Sequence, residues 1–396
     1  MDSPEPNPSR NQEPHPLREV VLLFLRLGLT AFGGPAAHIS IMHDEVVKRR
    51  KWLTDQEFLD LLGATNLIPG PNSTEMAIHF GYLRAGWKGL ILAGLAFTLP
   101  ATIIVIGFAW VYVNYAQLPQ AGWLLNGIQP VVIVIIVQAL WLLGKKAVRG
   151  IPAGVILALI FALYLVGFNP LLLLFGCGFG FLAWAYIKAG PGKNITPTAL
   201  LGFALLSQMN ILKNSLPSLW ELFLNFLKIG VTLYGSGYVL IAFLQNDFVS
   251  RSGWLTEQQL LDAVAIGQIT PGPLFTTATF IGYLLAGIPG AIVSTLGIFL
   301  PSFVFVAISS PFIPRLRQSP LMAGFLDGVN IAALALMAGV SLELSRSMIG
   351  NPVSIIIALM ASVLLFRFRV SSTWLIFGGA GIGFLAGLFS NLFLLP

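Results

Sequence analysis

The sequence predicts an all-α polytopic membrane protein made of two inverted-topology repeats. Each repeat has about five transmembrane helices and a broken, re-entrant Pro-Gly-Pro hairpin. Three observations predict this. Only 10% of the 396 residues are charged and 56% are hydrophobic, whereas a soluble domain carries about 25% charged residues. Apolar runs near the roughly 20 residues that cross a hydrocarbon core recur along the chain. The chain also repeats itself: FLRLGLTAFGG from Phe24 returns as FLKIGVTLYGSG from Phe226, and PGP at 69–71 returns as PGP at 271–273.

The elements follow in order. Residues 1–16, MDSPEPNPSRNQEPHP, hold five prolines and almost nothing apolar, so they read as a disordered tail without a cleavable signal. The first repeat, 17–190, is expected to open with one long segment and continue through the Pro-Gly-Pro hairpin into spans at 87–115, 122–144, 151–167 and 170–187. Residues 191–217 are a linker. The second repeat, 218–396, has matching spans at 289–313, 321–344, 352–366 and 374–395.

The register holds at an offset of 202, with WLTDQ at 52–56 matching WLTEQ at 254–258 and Asp60 matching Asp262. After one gap the offset is 201, with Leu99-Pro100 matching Leu300-Pro301 and Asn126-Gly127 matching Asp327-Gly328. Matched loops differ in charge. KRRK (48–51), Arg84/Lys88, Lys145/Lys146/Arg149 and Lys188/Lys193 make one set of first-half loops basic, while 116–120 and 167–169 carry no charge. In the second half the counterparts of the neutral loops gain Arg315/Arg317 and Arg367/Arg369, and KRRK shrinks to SRSG. Basic loops stay in the cytoplasm, so the second half is expected upside down, with both termini on the outer side.

Composition narrows the function. The single Cys177 leaves neither a disulfide nor a thiolate metal cluster. The net charge of +6 records loop orientation rather than nucleic-acid binding. No HExxH zinc motif occurs, and YGSG (234–237) does not frame a nucleophilic serine. An intramembrane enzyme is therefore the weak alternative, and neither a cofactor nor a metal is expected.

Inverted repeats with interrupted helices are how secondary transporters build a site at the bilayer midplane. Pro71 and Pro273 suit the first turn of a new helix, after Gly70 and Gly272 turn the chain. Free N–H groups at such helix starts attract anions. Asn72, Ser73 and Thr74 in the first half, and Thr276 and Thr277 in the second, add donors. Arg26 and Lys228 occupy equivalent positions inside the opening segments, where a cation needs a partner or a function. They are the candidate charges for an anion, and loss of Arg26 is ranked the costliest change. Gly33 and Gly34, and Gly235 in the second half, offer further backbone N–H groups or close packing. Glu75, with His79 one turn later on the same helix face, is the candidate proton-coupling pair; a helix cap and an interior histidine are the alternatives. His38, His43, Asp44 and Glu45 are placed at a solvated helix end. Asp60 and Asp262 are either structural acceptors or partners for Arg26 and Lys228. The glycines at 379, 383 and 387 read as helix packing.

FGGPAAH (32–38), KRRKWLTDQEF (48–58), PGPNSTE (69–75), LYGSG (233–237), GWLTEQQLLDA (253–263) and TPGP (270–273) together resemble the chromate ion transporter family in its long-chain, two-domain form. That resemblance implies a multi-pass inner-membrane protein, an antiporter that exports chromate on the proton gradient and confers chromate resistance. Its partners would be chromate or sulfate, protons, the lipid bilayer and a second copy in a homodimer. Uptake of sulfate or a related oxyanion is the alternative. The second half lacks the Asn, Glu and His that follow the first Pro-Gly-Pro, so the two hairpins cannot contribute equally.

Overall fold

The repeated WLT(D/E)Q block marks the start of a helix in each half. Thr54 and Thr256 are N-caps: each hydroxyl accepts from the backbone three residues on, and the Glu57 or Gln259 side chain accepts from the cap's own N–H. Such reciprocal capping satisfies donors that a helix start otherwise leaves open. The computed structural model describes residues 16–32, 34–115, 118–148, 150–189, 216–234, 237–309, 320–346 and 351–393. Most of the tail, most of the linker, Gly33, Gly235, Arg149, Lys193, Arg315 and Arg317 lie outside the described residues.

Among the described residues each half holds seven helices and no strand. In the first half α1 is Pro16–Thr30, α2 is Gly34–His43 continued by a π-turn over Asp44–Arg49, and α3 is Asp55–Thr65. Then come α4 (Asn72–Tyr115), α5 (Pro119–Ala147), α6 (Ile151–Leu165) and α7 (Pro170–Ala189). The second half repeats them as α8 (Leu219–Thr232), α9 (Leu240–Leu244 with a π-turn over Gln245–Arg251) and α10 (Glu257–Ile269). It continues with α11 (Thr277–Ser309), α12 (Pro320–Arg346), α13 (Pro352–Phe366) and α14 (Ser372–Phe393). Among the described residues six helices are long and apolar enough to cross a membrane, and 151–165 and 352–366 are shorter apolar helices. Exposed side chains such as Ile103, Ile151, Leu359 and Trp374 give these helices a lipid-compatible outer surface.

Two expectations change. The opening segment is not one long span but a helical hairpin. Glu19 of α1 pairs with Arg50, and Arg26 lies 3.7 Å from Glu45, so α1 and α2 run back to back in opposite directions. A 15-residue helix such as α1 reaches only about 22 Å at 1.5 Å per residue, short of a full crossing. The start of α1 also lies beside the basic loop instead of apart from it, because Glu19 holds both Arg50 and Arg84.

α4 and α11 each break at an Ala-Gly pair, 85–86 and 286–287, with Gly86 and Gly287 at φ 61° and 62°. The chain doubles back there, so Gly81 packs on Gly89 and Gly282 on Gly290, where a methyl group would strike backbone oxygen. The arms before the break, α4a and α11a, complete a second hairpin with α3 and α10. The long arms after it, α4b and α11b, pack on each other, with Gly94 against Phe303 and Leu90 clustered with Val306. Contacts that come later in α4b therefore come earlier in α11b.

The remaining helices interlock across the halves. In α5, Trp123 seats Gly387 while Gly127 and Val131 meet Gly379. In α12, Gly324 meets Phe181 and Ala185 of α7, and Gly328 meets Cys177. The glycines expected for packing in the last helix do pack, and their counterparts in α7 form the same seam.

Candidate functional site

The four hairpin tips converge. The Gly70 N–H donates to the Leu233 carbonyl at 2.8 Å, and the Gly272 N–H donates to the Ala31 carbonyl at 3.0 Å. Each Pro-Gly-Pro turn is thus tied to the opening hairpin of the other half. Both glycines have φ between +90° and +140°, a region that side chains avoid. Pro100 and Pro301, inside α4b and α11b, each remove a backbone donor close by.

The two turns face different chemistry. A side chain begun at Gly272 would meet the Ala101 methyl at 2.7 Å. One begun at Gly70 would run into Glu75 Oε1 and would lie 2.6 Å from Ser302 Oγ. Ser302 and Ala101 are equivalent positions, so the second half gives the first turn a hydroxyl and receives a methyl in return.

Beneath the first turn Ser73, Thr74, Glu75 and His79 are all buried. Neither Glu75 oxygen has a hydrogen-bond partner among the described residues, and the same holds for Thr74 Oγ1 and Ser302 Oγ. Glu75 therefore does not cap its helix. Tyr234, at the tip of the second half's hairpin, lies within electrostatic reach of it. Asn72 donates to Asn66 across the turn at 2.6 Å. Beneath the second turn the hydroxyls point back: Thr276 donates to the Pro273 carbonyl at 3.0 Å and Thr277 to the Leu274 carbonyl at 2.7 Å. Each of these hydroxyls has spent its single proton, leaving lone pairs only.

The two cations are each matched to an acid on the other arm of their own hairpin. Lys228 Nζ is 2.5 Å from Asp247, with both side chains buried. Arg26 is 59% exposed and lies near a buried Glu45 that also takes Arg49 and Arg50. Glu45 and His38 are buried, not at a solvated end; the His38 ring meets the Ala31 carbonyl at 3.0 Å. Asp60 and Asp262 pair with neither cation. Asp60 accepts from Gln56, whereas buried Asp262 accepts from Tyr112 and Gln129, each at 2.8 Å, from the other half. Sequence reasoning names Glu45 only as a solvated end and does not reach Asp247 or Ser302; the offset of 202 matches the first two as acids, while Ser302 carries no local signal. Gly34 stands 3.3 Å, from its missing side chain, to the Tyr238 hydroxyl.

The chromate transporter family model matches residues 18–182 and again 220–384. The chain belongs to the chromate transporter family. The two matches fall on the two halves, so each half is one copy of the family's unit. The chain is 32% identical to the chromate transport protein of Cupriavidus metallidurans, over 98% of each sequence. It is 31% identical to a probable chromate transport protein of Synechococcus elongatus, over 88% of this chain and 89% of the relative. It is 30% identical to the chromate transport protein of Pseudomonas aeruginosa, over 82% and 80%. No solved structure matches.

Proposed function

We propose that this protein is a secondary active transporter that exports chromate across the inner membrane, coupled to protons, and so confers chromate resistance. The observation that carries the reading is the convergence of both Pro-Gly-Pro turns with the opposite hairpin tips, through Gly70 to Leu233 and Gly272 to Ala31. Irregular backbone inside a membrane protein persists where it is buried in protein or lines a cavity, and here it lies between two halves that could move against each other.

The oxyanion binds at the first turn. Asn72, Ser73, Thr74 and the backbone from Gly70 supply donors, and the helix start behind Pro71 supplies partial positive charge. Thr276 and Thr277, with the Gly272 turn, form the opposing wall. Gly34 lets the first hairpin tip approach Tyr238 of the second half. Arg26 and Lys228 hold the hairpins together and shape the field from behind the site, each balanced by its acid. Glu75, with His79 on the same face, carries the proton. The opposite order of contacts along α4b and α11b, and the swapped loop charges, support an inverted relation of the halves.

Flux of chromate into everted membrane vesicles tests the reading. It should require the protein, fall when sulfate of the same charge competes, and change when the pH gradient is collapsed. Glu75→Gln should abolish the response to the gradient while leaving the protein folded and able to bind. Flux indifferent to the gradient in the wild type would remove the proton coupling.

A further inference from the structure

We infer that the first Pro-Gly-Pro turn holds the proton and the oxyanion together, in one pocket completed by Ser302 of the second half, so that the two move in the same direction. The inference rests on the transport reading and fixes the sign of its coupling, which the family resemblance gives as exchange.

The geometry sets the sign. Glu75 Oε1 and Ser302 Oγ both crowd the point where a Gly70 side chain would begin, and Thr74 Oγ1 belongs to the preceding residue. All of these oxygens are buried without a hydrogen-bond partner among the described residues, and Glu75 and Ser302 meet at one polar contact against the turn. Among the described residues no cationic side chain pairs with the carboxyl. The titratable groups near it are His79 on its own helix and Tyr234 from the second half. Tyr238 is bonded to Gln268, and His38 meets the Ala31 carbonyl. Lys228 and Arg26 are engaged with Asp247 and Glu45.

An ionised Glu75 would repel a dianion at contact distance, in a medium that screens charge poorly. A protonated Glu75 removes the repulsion and offers one O–H donor. Anion binding therefore favours protonation, and by linkage protonation favours anion binding. One proton joins the carboxylate from water, and no bond within the anion changes. Chromate with one proton still carries net negative charge, so an inside-negative membrane potential drives it outward.

The opposite arrangement, exchange, would need the proton to displace the anion. Ser302 acts as a positioning residue: its hydroxyl can accept from the protonated carboxyl or donate to the anion, and it brings the second half into contact with both.

The test is chromate binding to the purified full-length protein in detergent, at mildly alkaline pH and in weak buffer, with proton uptake recorded. Wild type should take up about one proton for each chromate bound. Glu75→Gln should bind chromate with no proton uptake. Ser302→Ala should bind roughly tenfold more weakly, the effect of one hydrogen bond to a charged group, and Ser302→Thr should restore most of the affinity. Proton release on binding, binding without proton uptake in the wild type, or uptake that persists in Glu75→Gln would each overturn the inference. A wild-type protein that binds no chromate would instead overturn the transport reading itself.

Discussion

Asp262 shows how one residue links the halves. It is 1% exposed, and its oxygens accept from Tyr112 and Gln129, both of the first half. A buried carboxylate without such donors would be expensive, so the acid is held by neutral groups from across the molecule. Each bond to a charged group contributes about 1.5–3 kcal/mol. Asp262→Ala removes both and strands a buried donor on Gln129 and a half-buried one on Tyr112; Asp262→Asn keeps one acceptor. The alanine variant should therefore unfold at a clearly lower temperature than the asparagine variant, measured on purified protein in detergent. Equal unfolding temperatures would show that the bonds carry little. Its counterpart Asp60 serves its own helix through Gln56, so the same acid at matched positions has different work in each half.

At the scale of elements, the opening hairpins are alike in pattern and unlike in energetics. Both place a cation on the first arm and an acid on the second, Arg26 with Glu45 and Lys228 with Asp247. In the second hairpin the side chains are only 7% and 3% exposed. Breaking such a pair strands a buried charge and costs about 3–5 kcal/mol. Arg26 is 59% exposed, and Glu45 keeps Arg49 and Arg50 when Arg26 is lost, so its removal falls in the range of about 0–1 kcal/mol for surface pairs. Lys228→Ala should therefore lower the folded yield in membranes far more than Arg26→Ala. A double variant, Lys228→Met with Asp247→Leu, should recover most of that yield because no charge is stranded. Failure of the double variant to recover would point to a role for the charges beyond folding.

The whole molecule is two interlocked copies. α5 and α12 pack against the last helix of the opposite half through facing glycines, so neither half buries its own seam alone. Contacts in reversed order along equivalent helices favour an inverted pair. Inversion puts matched positions of the two halves on opposite faces of the membrane. Reporter fusions at Lys145 and Arg346 should then lie on opposite faces. A reporter pair found on the same face at Lys145 and Arg346 would establish parallel halves.

The sequence by itself determined that this is a helical membrane protein, that it is duplicated, that a new helix starts at each Pro-Gly-Pro and which family it joins. Those properties follow from local composition and from identities at fixed spacing, which need no knowledge of contacts. Periodicity could not reveal that the opening segment folds back on itself, because a short apolar helix and part of a long one look alike until Glu19 and Arg50 are seen to meet. Nor could it find Ser302, a small residue in an ordinary helix whose importance comes from facing Gly70 more than two hundred positions away. Tertiary structure decided which cations are neutralised, which hydroxyls are spent on their own backbone and which acid is left without a partner. Those are matters of which atoms lie within a few ångströms of one another, and only the packing of one half on the other sets that.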